Sequence, residues 1–376
     1  MIHIAADSQI PEIENRLGEF LDADYSFKHF DSNILSPTDL KNIDALLVRS
    51  TLFVNQRLCE GTGICYVGSA TAGINHLDID YLDSQNITWS HAPGCNAFSV
   101  IHYVMAAIGE LIKDDLFNVG RSIGIVGYGN IGRRLYNILK ALKFEVYACD
   151  PFLSHSELVD LDRVLECDLI TIHAPLSEKG KHPTSNLINK SHIKKLSNKI
   201  LINTSRGEII SEALVLKADD LIYICDVWIN EPMPNLKLIK KSYIATPHIA
   251  GYSIEGKLNG TKIIAKECAK AFECLKPKSV KSMTSAGWPH GIKNIVRDIR
   301  EISFPASLFH KELDLKSTSD TFKALPNKDL EKGFRLQRAN HLPRHDFNFY
   351  SFEEMSSLDE EIDLKFFNKL GGAGNL

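Results

Sequence analysis

Three side chains suited to acid–base and anion-binding chemistry each follow a β-rich run of the chain. Arg206 follows ILINTS, Glu231 follows IYICDVWIN, and His248 follows SYIATP. When strands alternate with helices they form a parallel sheet, and ligands bind beyond the carboxyl ends of its strands. We therefore expect the three side chains to meet in one cleft.

These residue types suit the oxidation of a 2-hydroxy acid. Histidine titrates near neutral pH, so His248 could take the proton of the alcohol. A carboxylate on the other ring nitrogen, here Glu231, would fix the tautomer and stabilise the imidazolium. Arg206 could hold the substrate carboxylate through two parallel hydrogen bonds and polarise the forming carbonyl. Taken singly, each residue is more simply a surface, cap or loop residue, so the prediction depends on their joint placement.

A glycine-rich loop indicates a dinucleotide site. The run SIGIVG leads directly into a helical pattern through the loop GYGNIG. Gly127 permits the tight turn, Gly129 lets a pyrophosphate approach the backbone, and Gly132 lets the helix pack on the strand. With Asn130 and Ile131, the loop presents a helix N-terminus whose free N–H groups attract phosphate.

Asp150 ends the β-rich run after that helix, close to the ~20-residue spacing expected for a ribose partner. A carboxylate there accepts hydrogen bonds from the ribose hydroxyls and repels a 2′-phosphate. The sequence therefore predicts NAD rather than NADP as the cofactor. The alternative, a glycine turn without a ligand, is disfavoured because a strand precedes the loop and a helix follows it.

The surrounding pattern predicts an α/β fold with a doubly wound parallel sheet. From residue 122 onward, β-rich runs alternate with helical patterns such as 130–142, and the first ninety residues repeat this rhythm more loosely in IHIAAD, ALLVRS and CYVGSA. Further helical patterns cover 101–112 and 253–275. A linker, KPKSVKS, then precedes a more polar tail with mixed strand-like and helical runs, for which we predict a small α+β domain.

Composition narrows the class of protein. The chain has 376 residues, of which 44% are hydrophobic and 24% charged, with a formal net charge of −4. This balance and the lack of a basic stripe disfavour nucleic acid as a partner. Its N-terminal sequence and the lack of a long apolar run predict neither a signal peptide nor a membrane span. Eight cysteines without a Cys-x-x-Cys pair favour reduced thiols, no metal site and a cytoplasmic location.

Together, the motifs resemble the NAD-dependent D-2-hydroxyacid dehydrogenase family over about residues 1 to 275. The resemblance rests on GIVGYGNIGRRL, INTSRGEII, DVWINEP and TPHIAGYSIEGK. It implies that Arg206, Glu231 and His248 are the catalytic residues. It also implies two Rossmann-like lobes, with a substrate lobe at 1–96 and 250–280, an NAD lobe at 97–249, and the C-terminal domain at 281–376.

Four segments, LLVRST, SATAGINH, HAPGCNA and HIAGYSIEGK, resemble a member of that family that oxidises a phosphorylated four-carbon hydroxy acid. This resemblance implies a small phosphorylated 2-hydroxy acid as substrate and a homodimer formed through the C-terminal domain. Substrate contacts are implied for Ser50, Thr71 and Tyr252. NAD contacts are implied for Asp150, Asp226 and Gly251, and for the backbone of Thr204, Ser205 and Arg206. Ala174 departs from the pattern, because a threonine that contacts NAD usually stands there.

A phosphorylated substrate needs a further cation or N–H donor. Arg49, just before Ser50, is the first candidate. Other cations are weaker candidates, since a solvated surface charge is the simpler interpretation of each: Lys257, Arg335, Arg338 and Arg344.

Two other functions stay open at this point. One is a related dehydrogenase that acts on 3-phosphoglycerate or on an unphosphorylated 2-hydroxy acid. The other is a non-catalytic, NAD-sensing binding protein of the same fold, because a fold alone does not establish catalysis.

Overall fold

The computed structural model describes residues 1–276, 309–310, 313–341 and 343–347. These residues fall into two compact units. Unit 1 comprises residues 1–95 and 257–276. Unit 2 comprises residues 96–256 and the described residues after 303.

Unit 1 contains a five-stranded parallel sheet in the order β2-β1-β3-β4-β5. Its strands are β1 Ile2–Asp7, β2 Tyr25–Phe30, β3 Ala45–Val48, β4 Tyr66–Ser69 and β5 Thr88–His91. Between them lie α1 Ile13–Phe20, a 3₁₀ turn Pro37–Leu40, α2 Gln56–Cys59 and α3 Ile79–Ser84. Each face of this sheet packs against its own hydrophobic cluster. The neighbouring β3 residues Leu46 and Leu47 belong to different clusters, because successive side chains of a strand point to opposite faces. The sheet is therefore covered on both faces, which explains the continuous apolar runs of its central strands.

Unit 2 contains a six-stranded parallel sheet in the order β11-β10-β9-β8-β6-β7. Its strands are β6 Ser122–Val126, β7 Glu145–Cys149, β8 Leu169–Ile172, β9 Ile200–Asn203, β10 Ile222–Cys225 and β11 Ile244–Ala245. Its helices are α4 Ala97–Lys113, α5 Gly132–Ala141, α6 Leu161–Leu165, 3₁₀ turns Lys190–His192 and Gly207–Ile209, α7 Glu212–Lys217 and α8 Leu236–Lys241. The strand order reverses at β6, with β7 on one side and β8 on the other. This reversal defines the switch point where open α/β sheets bind ligands.

Two parallel sheets confirm the predicted α/β fold class. Within the part of the chain that the structure describes, the helices after the second sheet include α9 Ile254–Ala271, α10 Leu315–Lys323 and, after a 3₁₀ turn at Asn327–Asp329, α11 Leu330–Ala339. Aromatic residues of the last two, Phe322 and Phe334, belong to the same core cluster as Leu201 of β9. The predicted boundary at 281 and much of the tail after it lie outside the described residues, so a separate C-terminal domain stays a prediction.

A buried polar cluster anchors residues 344–346 within unit 2. The Arg344 side chain is 1% exposed and donates hydrogen bonds to the carbonyls of Ser99, at 3.1 Å, and Ala250, at 2.9 Å. Asp346 accepts hydrogen bonds from the hydroxyls of Ser99, at 3.2 Å, and Ser253, at 3.0 Å. The interpretation of Arg344 as a solvated surface charge is therefore wrong, because this guanidinium is enclosed by backbone carbonyls.

All eight cysteines are free thiols. Among the helices that the structure describes, none combines the length and apolarity needed to cross a bilayer.

Candidate active site

The glycine loop follows β6 at the switch point of the unit 2 sheet. Gly127 adopts φ +95°, a left-handed conformation that favours glycine. A Cβ on Gly132 would lie 1.9 Å from the Gly127 carbonyl oxygen, so α5 can start this close to the strand only with glycine there. A Cβ on Gly129 would meet nothing within 4 Å. The loop is thus tight where it packs and open at the position predicted to face a pyrophosphate, which fits a dinucleotide.

Asp150, directly after β7, is held beside this loop. Its carboxylate accepts hydrogen bonds from the backbone N–H groups of Tyr128, at 3.0 Å, and Phe152, at 3.1 Å. Tyr128 lies inside the glycine loop, so the acid and the loop are fixed relative to each other. This placement fits the predicted ribose contact.

His248 and Glu231 form a direct pair. The distance between His248 Nδ1 and Glu231 Oε2 is 2.6 Å, and the two side chains are 28% and 21% exposed. The other carboxylate oxygen, Oε1, accepts the Trp228 backbone N–H at 2.9 Å. No residue in the described part of the chain hydrogen-bonds to His248 Nε2. The pair therefore has the predicted arrangement, with one ring nitrogen on the carboxylate and the other available to a substrate.

The pKa of Glu231 is lowered overall. Burial raises it, but the His248 charge, the hydrogen bonds from His248 and the Trp228 N–H, and the Arg338 charge together outweigh burial. Glu231 is therefore ionised at neutral pH and can stabilise a positive charge on His248.

A turn that sequence reasoning did not find positions His248. His248 itself has φ +58°, which is uncommon for a residue with a side chain. The Asp226 carboxylate accepts hydrogen bonds from the backbone N–H groups of the two residues after His248, Ile249 at 2.8 Å and Ala250 at 2.9 Å. It also accepts a hydrogen bond from the Thr246 hydroxyl at 2.6 Å. Burial is the main cause that raises the pKa of Asp226. Asp226 thus holds the Thr246 side chain before His248 and the backbone after it. Its predicted NAD contact stays a prediction.

Two further residues complete this support and were also missed. Trp228 donates its indole N–H to the Thr246 carbonyl at 2.9 Å, in addition to its backbone hydrogen bond with Glu231. The only feature of the sequence that pointed to Trp228 and Thr246 was their position two residues from Asp226 and from His248, respectively.

Arg206 directly precedes the 3₁₀ turn Gly207–Ile209, which follows β9. Burial lowers its pKa, while the charges of Glu231 and Glu208 raise it. Its side chain donates to the Ser205 carbonyl at 2.7 Å. The Glu231 carboxylate therefore acts on Arg206 and pairs with His248, and all three predicted catalytic side chains belong to unit 2.

The remaining predicted cofactor contacts lie around the ends of the same strands. Ser205 donates through its hydroxyl to the Ala174 carbonyl, directly after β8. The Thr204 hydroxyl is buried without a hydrogen-bond partner among the described residues. Gly251 lies against the Asn96 side chain, while Asn130 and Ile131 precede α5. Each of these NAD contacts stays a prediction.

Unit 1 contains the other predicted substrate residues. Arg49 lies 3.3 Å from Asp7 in an ion pair, and its charge, after burial, contributes to the lowered pKa of Lys257. The Thr71 hydroxyl lies 2.9 Å from that of Ser69, and Ser50 is exposed. The structure thus groups Arg49 with Lys257, and the substrate contacts of Arg49, Ser50 and Thr71 stay predictions.

Similarity to known proteins agrees with this site. Residues 115–250 match the family model described as "D-isomer specific 2-hydroxyacid dehydrogenase, NAD binding domain". This range contains the glycine loop and all three clustered side chains. The fold and the site thus define a D-isomer-specific 2-hydroxyacid dehydrogenase with NAD as its cofactor.

Two relatives that share more than a third of their aligned residues with this chain indicate its group within the family. Erythronate-4-phosphate dehydrogenase of Hahella chejuensis is 41% identical over 276 residues, which cover 71% of each chain. The protein of the same name from Shewanella halifaxensis is 35% identical, covering 92% of this chain and 93% of its own. The chain therefore belongs to the D-isomer-specific 2-hydroxyacid dehydrogenase family, in the group of erythronate-4-phosphate dehydrogenases.

Solved structures support the fold. An NAD⁺-bound 3-phosphoglycerate dehydrogenase from Entamoeba histolytica superposes with a TM-score of 0.60 at 22% identity, covering 72% of this chain and 95% of its own. A D-lactate dehydrogenase from Aquifex aeolicus, complexed with NAD and lactic acid, gives a TM-score of 0.57 at 20% identity, with coverage of 73% and 95%.

Proposed function

We propose that the protein oxidises 4-phospho-D-erythronate at C2 to 2-oxo-3-hydroxy-4-phosphobutanoate with NAD, as a step of pyridoxal 5′-phosphate biosynthesis. The substrate is the one named by relatives that match most of the chain. The observation that supports the chemistry is the 2.6 Å pair of His248 and Glu231, in the same unit as the glycine loop.

In this proposal His248 is the base. Its Nε2 takes the proton of the C2 hydroxyl, while Nδ1 stays hydrogen-bonded to Glu231. Because Glu231 is ionised, it stabilises the imidazolium that forms. The left-handed turn held by Asp226 keeps the ring in this orientation.

Arg206 binds the substrate carboxylate and polarises the forming carbonyl. NAD, when bound, accepts the hydride that leaves C2. The residues that would hold it are Gly127, Gly129, Gly132 and Asp150, with the backbone of residues 204–206. The carboxylate of Asp150 repels a 2′-phosphate and so favours NAD over NADP.

A substrate pair tests the proposal. Initial rates are measured with 4-phospho-D-erythronate and with D-erythronate, each with NAD and with NADP. The phosphate offers charge-assisted hydrogen bonds worth about 1.5–3 kcal/mol, so kcat/KM should fall about 10- to 150-fold without it. Equal kcat/KM values for the two acids would overturn the substrate assignment, and equal rates with NADP would overturn the role of Asp150.

The homodimer formed through the C-terminal segment and the cytoplasmic location complete the proposal. Sedimentation of the full chain tests the first, since a monomer at assay concentration contradicts it.

A further inference from the structure

An arginine of the C-terminal segment lies beside the catalytic cluster. Arg338, on α11, has its guanidinium carbon 5.4 Å from the centroid of the Tyr252 ring. Its charge contributes to the lowered pKa of Glu231 and to the lowered pKa of Arg206. All four side chains belong to unit 2. α11 is fixed there, since Phe334 is buried in the unit 2 core.

The Arg338 side chain has a buried N–H group that lacks a hydrogen-bond acceptor among the described residues. This group is the Nε of the guanidinium. Arg335, one turn earlier on α11, is 65% exposed and pairs with Glu331 at 3.1 Å. The buried Arg344 donates to two carbonyls. The simple interpretation as a solvated surface charge therefore fits Arg335 and does not fit Arg338.

The charges around Arg338 favour the binding of an anion there. Burying an N–H donor without a partner is unfavourable, and so is placing two guanidinium groups near each other. The charge of Arg338 does lower the pKa of Arg206, after the larger effect of burial. Glu231 is hydrogen-bonded to His248 and Trp228. The Glu208 charge acts on Arg206. Neither carboxylate forms a hydrogen bond or an ion pair with Arg338 among the described residues. A bound group with two negative charges would relieve both the repulsion and the unpaired donor.

We infer that Arg338 binds the phosphate group of the substrate and so sets specificity for a phosphorylated acid. The inference rests on the proposed function, in which Arg206 holds the carboxylate at the other end of the same molecule. A guanidinium suits this role because it can donate two parallel hydrogen bonds to phosphate oxygens. The Tyr252 ring, also predicted to contact substrate, makes a cation–π contact with this guanidinium.

The test compares Arg338→Gln with Arg335→Gln on both acids. Arg335→Gln removes the same charge from the same helix at an exposed position, and it should match the parent protein. For Arg338→Gln we expect kcat/KM for 4-phospho-D-erythronate to fall about 10- to 100-fold, mainly through KM. The fall for D-erythronate should be much smaller, because that acid has no phosphate to lose a contact. Arg338→Lys should restore part of the loss, because it keeps the charge without the two-pronged geometry.

Inorganic phosphate provides a second readout. It should inhibit D-erythronate oxidation by the parent and by Arg335→Gln, and inhibit Arg338→Gln much less. Loss of NAD binding or of thermal stability in Arg338→Gln, with equal losses on both acids, would show a structural role and overturn the inference. It is also overturned if the parent prefers the phosphorylated acid and Arg338→Gln keeps that preference. If instead the parent shows no preference, the proposed substrate itself is wrong, which separates the two failures.

Discussion

Replacing Glu231 with glutamine tests how the carboxylate makes His248 a base. The parent carboxylate accepts the Trp228 N–H on one oxygen and faces His248 Nδ1 with the other, at 2.9 and 2.6 Å. If the oxygen of the introduced amide keeps the Trp228 hydrogen bond, its NH₂ group faces Nδ1 and forces the ring proton onto Nε2. A ring protonated at Nε2 cannot take the substrate proton. The opposite amide orientation leaves the Trp228 N–H facing another donor.

Either orientation loses at least one hydrogen bond to a charged group, worth about 1.5–3 kcal/mol. Because about 1.4 kcal/mol corresponds to a tenfold change in rate, we expect kcat/KM for Glu231→Gln to fall about 10- to 150-fold. The decrease should be mainly in kcat, since the imidazolium forms during the reaction. The assay is NADH absorbance at saturating and at low substrate.

Glu208→Gln is the matched control. Glu208 also raises the pKa of Arg206, and it does not contact His248. Its removal therefore lowers the negative charge near the site without disturbing the pair, and its rate should stay near that of the parent. If Glu231→Gln and Glu208→Gln show the same small decrease, the hydrogen bond between Glu231 and His248 does not contribute to catalysis.

Two further predictions concern the cofactor loop and the C-terminal anchor. Gly132→Ala should lower the melting temperature, because its Cβ would lie 1.9 Å from the Gly127 carbonyl, whereas Gly129→Ala should melt like the parent and bind NAD more weakly. Equal melting temperatures and equal NAD affinities for the two variants would contradict this assignment. The pKa of Asp346 is raised to about 6, mainly by burial, so the folded state binds the extra proton and the free energy of unfolding decreases as pH rises from about 4 to 6. Asp346→Asn should flatten that dependence in denaturation at pH 5 and pH 7, and an unchanged slope would refute it.

The central strands and the grouping of the catalytic residues could be predicted from the sequence, because each follows from a pattern with a single structural explanation. Buried central strands such as β3 and β9 are continuous apolar runs because both faces of the sheet are covered. The chemistry-bearing residues Arg206, Glu231 and His248 follow strands of one sheet, so their grouping could be inferred from strand order alone.

The edge strands β2 and β5 were not predicted. Their sequences, YSFKHF and TWSH, are mostly half-buried or exposed, as the edge of a sheet allows. They therefore lack the apolar run that identifies a central strand.

The supporting contacts of the site depend on distances that no local pattern encodes. Asp226 fixes the turn at His248 across more than twenty residues, and Arg344 donates to Ser99 across 245. The environment of an arginine depends on which groups lie opposite it in the folded unit. Arg335 is exposed, Arg338 has a buried N–H without a partner among the described residues, and Arg344 is enclosed by carbonyls. This explains why three arginines within ten residues have three different environments.

The central claim is that His248 is the base of an NAD-dependent oxidation. The most direct measurement is turnover of 4-phospho-D-erythronate by His248→Asn and His248→Gln, alongside titration of each variant with NAD. We expect turnover to be lost while NAD binds as tightly as it does to the parent. A variant that keeps a kcat near that of the parent would contradict the role of His248. A parent that binds NAD but turns over no 2-hydroxy acid would instead indicate an NAD-sensing protein.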